Sequence, residues 1–179
     1  MATSDAEEHK AFSLSQIRLF EELSSQLMQE LHTKPIRHIL NTSGISNFPQ
    51  GQYDMVRLGI GLYGVSNDRE EQKYLENVST LKSVISQIRT IPAGDSVGYG
   101  RRFVAEKPTR VATIPIGYAD GIARLWGNGV GYVTIHNEKA ILLGSVCMDM
   151  LMVDVTEIEC TEGDAVIVFG ESQTVMEMA

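Results

Sequence analysis

Four places in the chain hold residues whose types and spacing suit chemistry. The first is Asn41-Thr42-Ser43-Gly44, where hydroxyls and a glycine backbone suit phosphate oxygens. The same residues make an ordinary Ser/Thr turn. The second is Arg57-Leu58-Gly59-Ile60, a cation beside open backbone N–H groups at a strand end, an arrangement that suits an anion or a polar cofactor. The alternative is a surface arginine near a loop. If Arg57 is buried it needs an acceptor, a protein carboxylate or a cofactor ring nitrogen, because an unpaired buried guanidinium is costly. The third is Val97-Gly98-Tyr99-Gly100-Arg101-Arg102. Flanking glycines make Tyr99 approachable, and a neighbouring arginine suits it to general-base work. A hairpin aromatic packed on a sheet has the same pattern. The fourth pairs Ile116-Gly117-Tyr118-Ala119-Asp120-Gly121 with Cys147-Met148-Asp149-Met150. Cys147 is a nucleophile by type, but no Ser/His/Asp-like ordering of partners accompanies it. Cys and Met are more often packing residues, and Asp120-Gly121 also reads as a turn.

The elements that would position these residues fall into two kinds. Ser13 and Gln16 have capping-box spacing, and Ile17, Phe20, Leu23, Leu27 and Leu31 recur at helical spacing as one apolar face. Lys34-Pro35 is expected to end that helix. IRHIL, 36–40, reads as a short buried strand, and MVRLGIGLYGV, 55–65, holds room for another. SNDREEQKYLE, 66–76, is polar and charged and reads as a linker. Beyond it come STLKSVISQIRTI, TRVATIPIGYA, VGYVTIHN, KAILLGSV, MLMVDV and DAVIVFG, all rich in Val, Ile and Thr. Turn signals separate them, among them Gly127-Asn128-Gly129 and a hairpin turn at Asn137-Glu138. No long helix is expected over 77–170. The fold class is α/β first and then all-β, a barrel or sandwich, with the boundary near residue 70.

Composition narrows the classes. The chain has 179 residues, 43% hydrophobic and 21% charged, with a net charge of −8. That charge argues against nucleic acid or an anionic membrane as partner. The two cysteines, Cys147 and Cys160, lack zinc-ligand spacing and fit a reducing compartment, so no metal is expected. No apolar run approaches a membrane span, and the acidic start MATSDAEEHK does not read as a signal peptide. Cytoplasmic placement is the expectation.

Together, HILNTSGI, MVRLGIGLYG, SVGYGRRF, TIPIGYADG and GSVCMDMLMVDV occur in the order and rough spacing of alanine racemases, which the chain resembles from about residue 1 to residue 170. The resemblance implies a pyridoxal 5'-phosphate enzyme. Residues 1–70 would be the last part of a TIM-like α/β barrel, and 71–179 a mainly antiparallel C-terminal β-domain. Tyr99 matches the acid/base on one face of the substrate Cα, and Arg57 the donor to the pyridine nitrogen. Thr42 or Ser43, with the backbone of Gly59 and Ile60, match phosphate-binding positions, with Thr42 aligning more directly. Met148 matches a substrate contact. Tyr118, Arg124 and Asp5 resemble residues of the substrate entrance. Ser145 stands where the family often has an arginine.

The resemblance also implies two-base racemisation of alanine, D-alanine for cell-wall peptidoglycan, and a head-to-tail homodimer in which Tyr99 and Met148 serve the partner's site. None of the six lysines sits in the motif of the family's Schiff-base lysine. The chain therefore reads as a fragment, short at both ends and inactive alone. Alternatives are a racemase or decarboxylase of another amino acid, or a non-catalytic β-domain that binds. Fusion to a cell-wall ligase is not decided by these residues.

Overall fold

The structure, a computed structural model, describes residues 1–178. The chain divides into two compact units, Met1–Val78 and Ser79–Ala179.

The first unit is built on α1, Lys10–Glu30. The helix begins three residues before Ser13, so Ser13 is not its cap. Its hydroxyl instead meets the Thr3 hydroxyl at 2.9 Å, and Gln16 Oε1 accepts from the Ala2 N–H at 3.3 Å. The pair ties the N-terminal segment to the helix. The helix also stops at Glu30, before Lys34-Pro35. Of the five apolar residues at helical spacing, only Ile17 is buried, against Leu40 and Phe48. Leu23, Leu27 and Leu31 remain 54%, 51% and 42% exposed. Periodicity identifies an apolar face but not whether the unit covers it.

Neither expected strand forms here. Residues 36–40 and 54–58 hold no regular secondary structure and are joined by two backbone bonds, Asp54 N–H to Arg37 O at 3.2 Å and Arg57 N–H to Leu40 O at 3.1 Å. These bonds lie three residues apart on each segment, whereas a parallel ladder repeats every two, so no ladder propagates. Beyond Gly59 the chain turns into a 3₁₀ helix, Ile60–Tyr63. Gly64, at φ +73°, ends it, and a Cβ there would lie 2.0 Å from Glu76 O. The NTSG segment is not a loop: α2 spans Thr42–Asn47, and Asn41 Oδ1 caps it by accepting from the Gly44 N–H at 3.2 Å. The polar stretch 66–76 holds a further short helix, α3, Arg69–Gln72. Asp68 caps it through the Glu70 and Glu71 amides at 2.7 and 3.1 Å.

The second unit is all-β, as its Val, Ile and Thr content predicts. Its strands are β1 Leu81–Val84, β2 Gln87–Ile91, β3 Ser96–Val97, β4 Phe103–Val104, β5 Thr109–Ile114, β6 Tyr132–Ile135, β7 Glu138–Leu143, β8 Leu151–Asp154 and β9 Ala165–Phe169. A short helix, α4, Val175–Met178, follows. Seven strands form one sheet in the order β1-β9-β6-β7-β8-β5-β2, with every pairing antiparallel. β1 and β2 are its two edges, yet only Ile85 and Ser86 separate them in sequence. Two residues span only about 7 Å, so the two edges approach at that corner and the sheet curls as a partial barrel. Ile85 N–H bonds to Asp164 O beside β9, and Ser86 N–H to Thr113 O in β5. The linker is thus tied to the strand next to each edge.

Alternation then sorts the side chains. Ala112, Ile114, Val133, Ile135, Ala140, Leu142, Leu151, Val153, Val166 and Val168 occupy alternate positions within their own strands and are all buried in the interior cluster. The hairpin turn lies at His136-Asn137, one residue earlier than expected. Both have positive φ, +49° and +68°, as a two-residue type I′ turn requires.

Candidate active site

Tyr99 is carried by the β3–β4 hairpin, which lies on the outside of the barrel wall. Val97 and Phe103 from the hairpin pack with Val111, Leu143 and Met152, the outward-facing residues of β5, β7 and β8. Close backbone approach fixes this seat. Gly144 has φ +62°, and a Cβ there would lie 2.6 Å from Val97 O. Tyr99 opens a 3₁₀ turn, Tyr99–Arg101, between Gly98 at φ +75° and Gly100 at φ +70°. These glycines permit the sharp turn that leaves the Tyr99 side chain 73% exposed.

Two loops complete this face. The Gly117–Asp120 segment is bound to the Cys147-Met148 backbone by Tyr118 N–H to Cys147 O and Ala119 N–H to Met148 O, each 3.0 Å. Gly117 is required for that approach, since a Cβ would meet those two carbonyl oxygens at 2.4 and 2.3 Å. Asp120 is part of the construction: its carboxylate accepts from the Gly117 N–H at 2.9 Å and braces the turn. The outcome is a cavity of about 360 Å³ lined by Tyr99, Cys147, Met148, Asp149, Met150 and Met152. The structure thus brings Tyr99 and Met148 to one hollow. Cys147 is half-buried and its thiol donates weakly to Ser145 O at 3.7 Å. Burial pushes the Cys160 thiol up, which suits a packing cysteine beside Arg110. Tyr118 and Arg124 also meet, the guanidinium carbon lying 5.5 Å from the ring centroid.

In the first unit, Thr42 Oγ1 accepts from the Gly59 and Gly61 N–H groups at 2.9 and 3.4 Å. A Cβ on Gly61 would lie 2.7 Å from the Thr42 Cγ2, so the glycine turn and α2 fit only with hydrogen there. Thr42 and Ser43 are both buried. Arg57 is exposed, not buried at a strand end, and no carboxylate lies within 4 Å of it among the described residues. Asp5 accepts from the Asn67 amide at 3.0 Å and lines a small hollow of about 90 Å³ with Ser4, Lys10 and Asp68.

Sequence reading left Gly117 and Gly144 without a role and gave Asp120 only as part of an Asp120-Gly121 turn, which forms. Only the last carried a signal, a carboxylate three residues after Gly117.

The N-terminal part, residues 1–67, matches the family description "Alanine racemase, N-terminal domain", and residues 78–179 match "Alanine racemase, C-terminal domain". Among curated relatives, "Alanine racemase 2" of Caldanaerobacter subterraneus is 38% identical over 175 residues, covering 96% of this chain and 45% of the relative. "Alanine racemase" of Helicobacter pylori is 38% identical over 173 residues, 92% and 46%. The chain thus spans about half the length of the curated relatives it matches. Among solved structures, a Clostridium difficile alanine racemase in complex with cycloserine matches at 34% identity and TM-score 0.83, covering 96% of this chain and 46% of that one. A Bartonella henselae alanine racemase with covalently bound pyridoxal phosphate matches at 30% and 0.77, covering 99% and 48%.

Proposed function

The chain belongs to the alanine racemase family, and from that premise we propose that it supplies one face of a site that interconverts L- and D-alanine, with Tyr99 as the base on that face. The observation that carries the proposal is the hollow shared by Tyr99 and Met148, with Tyr99 raised on a glycine-flanked turn. Inversion at Cα needs proton transfer on two opposed faces. Tyr99 would take the Cα proton on its face in one direction of the reaction and deliver it there in the other, a second base acting on the opposite face each time, while Met148 would contact the substrate and help exclude water.

The donor set of the first unit fits pyridoxal 5'-phosphate. The Thr42 and Ser43 hydroxyls, the Ile60 backbone beside Gly59 and the uncompensated Arg57 are anion-seeking groups, the Gly59 N–H being turned to Thr42 Oγ1. The contact between Thr42 and Gly61 leaves no room for a Cβ between them. When bound, the cofactor supplies the electron withdrawal that acidifies the amino acid Cα–H. Thr42, Ser43, Gly59 and Ile60 would hold the phosphate. Arg57 would face the ring nitrogen and, being a donor that does not accept, keep that nitrogen unprotonated. The entrance would use Tyr118, Arg124 and Asp5. A head-to-tail homodimer and a cytoplasmic role in supplying D-alanine complete the reading. The relatives' names support the D-alanine part of it, and among the described residues no helix is long and apolar enough to cross a membrane.

The test is Cα-proton exchange of L- and D-alanine in heavy water with pyridoxal phosphate. It is run on this chain and on a protein that also spans the remaining length of its relatives. The longer protein is expected to exchange both enantiomers. Tyr99→Phe is expected to slow exchange of one enantiomer roughly 10²- to 10⁴-fold while the other persists. The chain alone is expected to be silent. Exchange with a different amino acid would replace the substrate, and silence of the longer protein with every amino acid would leave a binding module.

A further inference from the structure

The outer wall of the β unit holds a trough that Tyr99 does not line. Ile88 packs against the interior cluster, so its neighbours Gln87 and Arg89 on β2 face outward. Strand register carries that outer face across the sheet. Gln87 lies opposite Thr113, and Thr113 opposite Met152, so one row spans β2, β5 and β8. Arg89 lies opposite Val111 in the next row. The start of the β3–β4 hairpin, Asp95 to Gly98, forms the side wall, and the cavity enclosed is about 270 Å³.

Two opposite charges line this trough without pairing. Among the described residues, no carboxylate lies within 4 Å of the Arg89 guanidinium and no Lys, Arg or His nitrogen within 4 Å of the Asp95 carboxylate. The two therefore do not reach each other. The Asp95 backbone is fixed: its N–H donates to Pro92 O at 3.3 Å, and its carbonyl accepts from the Ala105 N–H at 2.8 Å. Ser96 Oγ accepts from Arg101 Nε at 3.1 Å, which leaves its own proton to donate. Val111 and Met152, both buried, give the trough an apolar floor. An ion of one sign would meet a like charge here. A molecule that carries both signs meets each charge with its opposite and forms a charge-assisted hydrogen bond at both ends. Its aliphatic part would lie on the Val111 and Met152 floor.

We propose that this trough is a non-catalytic site for a free aliphatic α-amino acid, bound as its zwitterion with the carboxylate on Arg89 and the ammonium on Asp95, and with Ser96 and Thr113 as further hydrogen-bond partners. It rests on the β unit alone and stands whether or not the Tyr99 face racemises anything. The test reads binding. The chain, labelled with ¹⁵N and with ¹³C-methyl methionine, is titrated with L-valine at constant ionic strength. The Arg89, Ser96 and Thr113 amides and the Met152 methyl are expected to move saturably with one Kd, while the Met148 methyl stays still. N-acetyl-L-valine lacks the ammonium and L-valinamide lacks the carboxylate. Each is expected to bind about tenfold or more weakly than valine, the loss of one charge-assisted bond. Arg89→Gln and Asp95→Asn are each expected to weaken valine about as much, and Asp95→Asn to bind valine and N-acetyl-L-valine alike. The backbone amide spectrum checks that these exposed substitutions leave the fold intact. Movement confined to Tyr99 and Met148, equal binding of valine and N-acetyl-L-valine by the unsubstituted chain, or undiminished affinity in the double variant overturns the site.

Discussion

The two units solve the same problem with unequal completeness. In the β unit, seven strands pair in one antiparallel sheet, and the alternate residues of each strand that face inward fill its interior with fully buried Val, Ile and Leu. In the first unit, a 21-residue helix packs through Ile17, while Leu19, Leu23 and Leu27 stay exposed and two segments without regular secondary structure lie side by side without a ladder. The difference teaches that burial is a property of the neighbours a segment finds. The β unit carries its neighbours within about a hundred residues. The helix carries its apolar stripe without them.

The largest effect that would sharpen this contrast lies in the barrel interior. Ile135→Ala is expected to cost the β unit about 4 kcal/mol, read as a lowered urea midpoint with unchanged slope. A loss below about 1 kcal/mol would mean that the interior collapses freely and the contrast is overstated. Next is Gly117→Ala, whose Cβ would enter the space of the Cys147 and Met148 carbonyls. The expected cost is about 2 kcal/mol, together with a disturbed Tyr118–Met148 region visible as shifted amide signals confined to those loops. Unperturbed loops would show that the two segments are not held by that approach.

A smaller effect comes from Tyr53 in the first unit. Burial and a hydrogen bond to Glu21 push its phenol up to about 12. A raised folded-state pKa means that the protonated form is favoured by folding. The contribution is fully present below the ordinary value near 10 and is lost as pH rises through about 12. Absorbance at 295 nm is expected to show one late-titrating tyrosine, with stability of the first unit falling between pH 10 and 12. A Tyr53→Phe variant is expected to lack both. The smallest effect is Leu23→Gln on the exposed stripe of α1, expected to stay within about 0.5 kcal/mol by thermal melting. A large loss there would show that the stripe is covered after all.

Much of the β unit was legible because its signals are local. Each Val, Ile and Thr run became one or more strands, and alternation followed from the period of two. The hairpin slipped by one residue because two positive-φ residues, His136 and Asn137, bracket the turn, and histidine does not announce that conformation. IRHIL was misread because a buried strand is written in composition, but a ladder needs a partner at the right register. NTSG was read as a loop because its helix is only six residues long and shows no period. The site words GYG, GYADG and CMDM were readable as words. Nothing in them said that Gly117 must be bare.

By itself, then, the sequence determined the order of the two kinds of structure, the alternation that fills the barrel, and the set of residues able to do chemistry. All of these depend on residue type and short-range spacing. Only the tertiary structure decided that Tyr99 and Met148 line one hollow, that Arg57 is exposed, and which apolar faces are covered. Those outcomes depend on which distant segments come within a few ångströms, where a carbonyl 2.4 Å from an absent Cβ excludes every side chain.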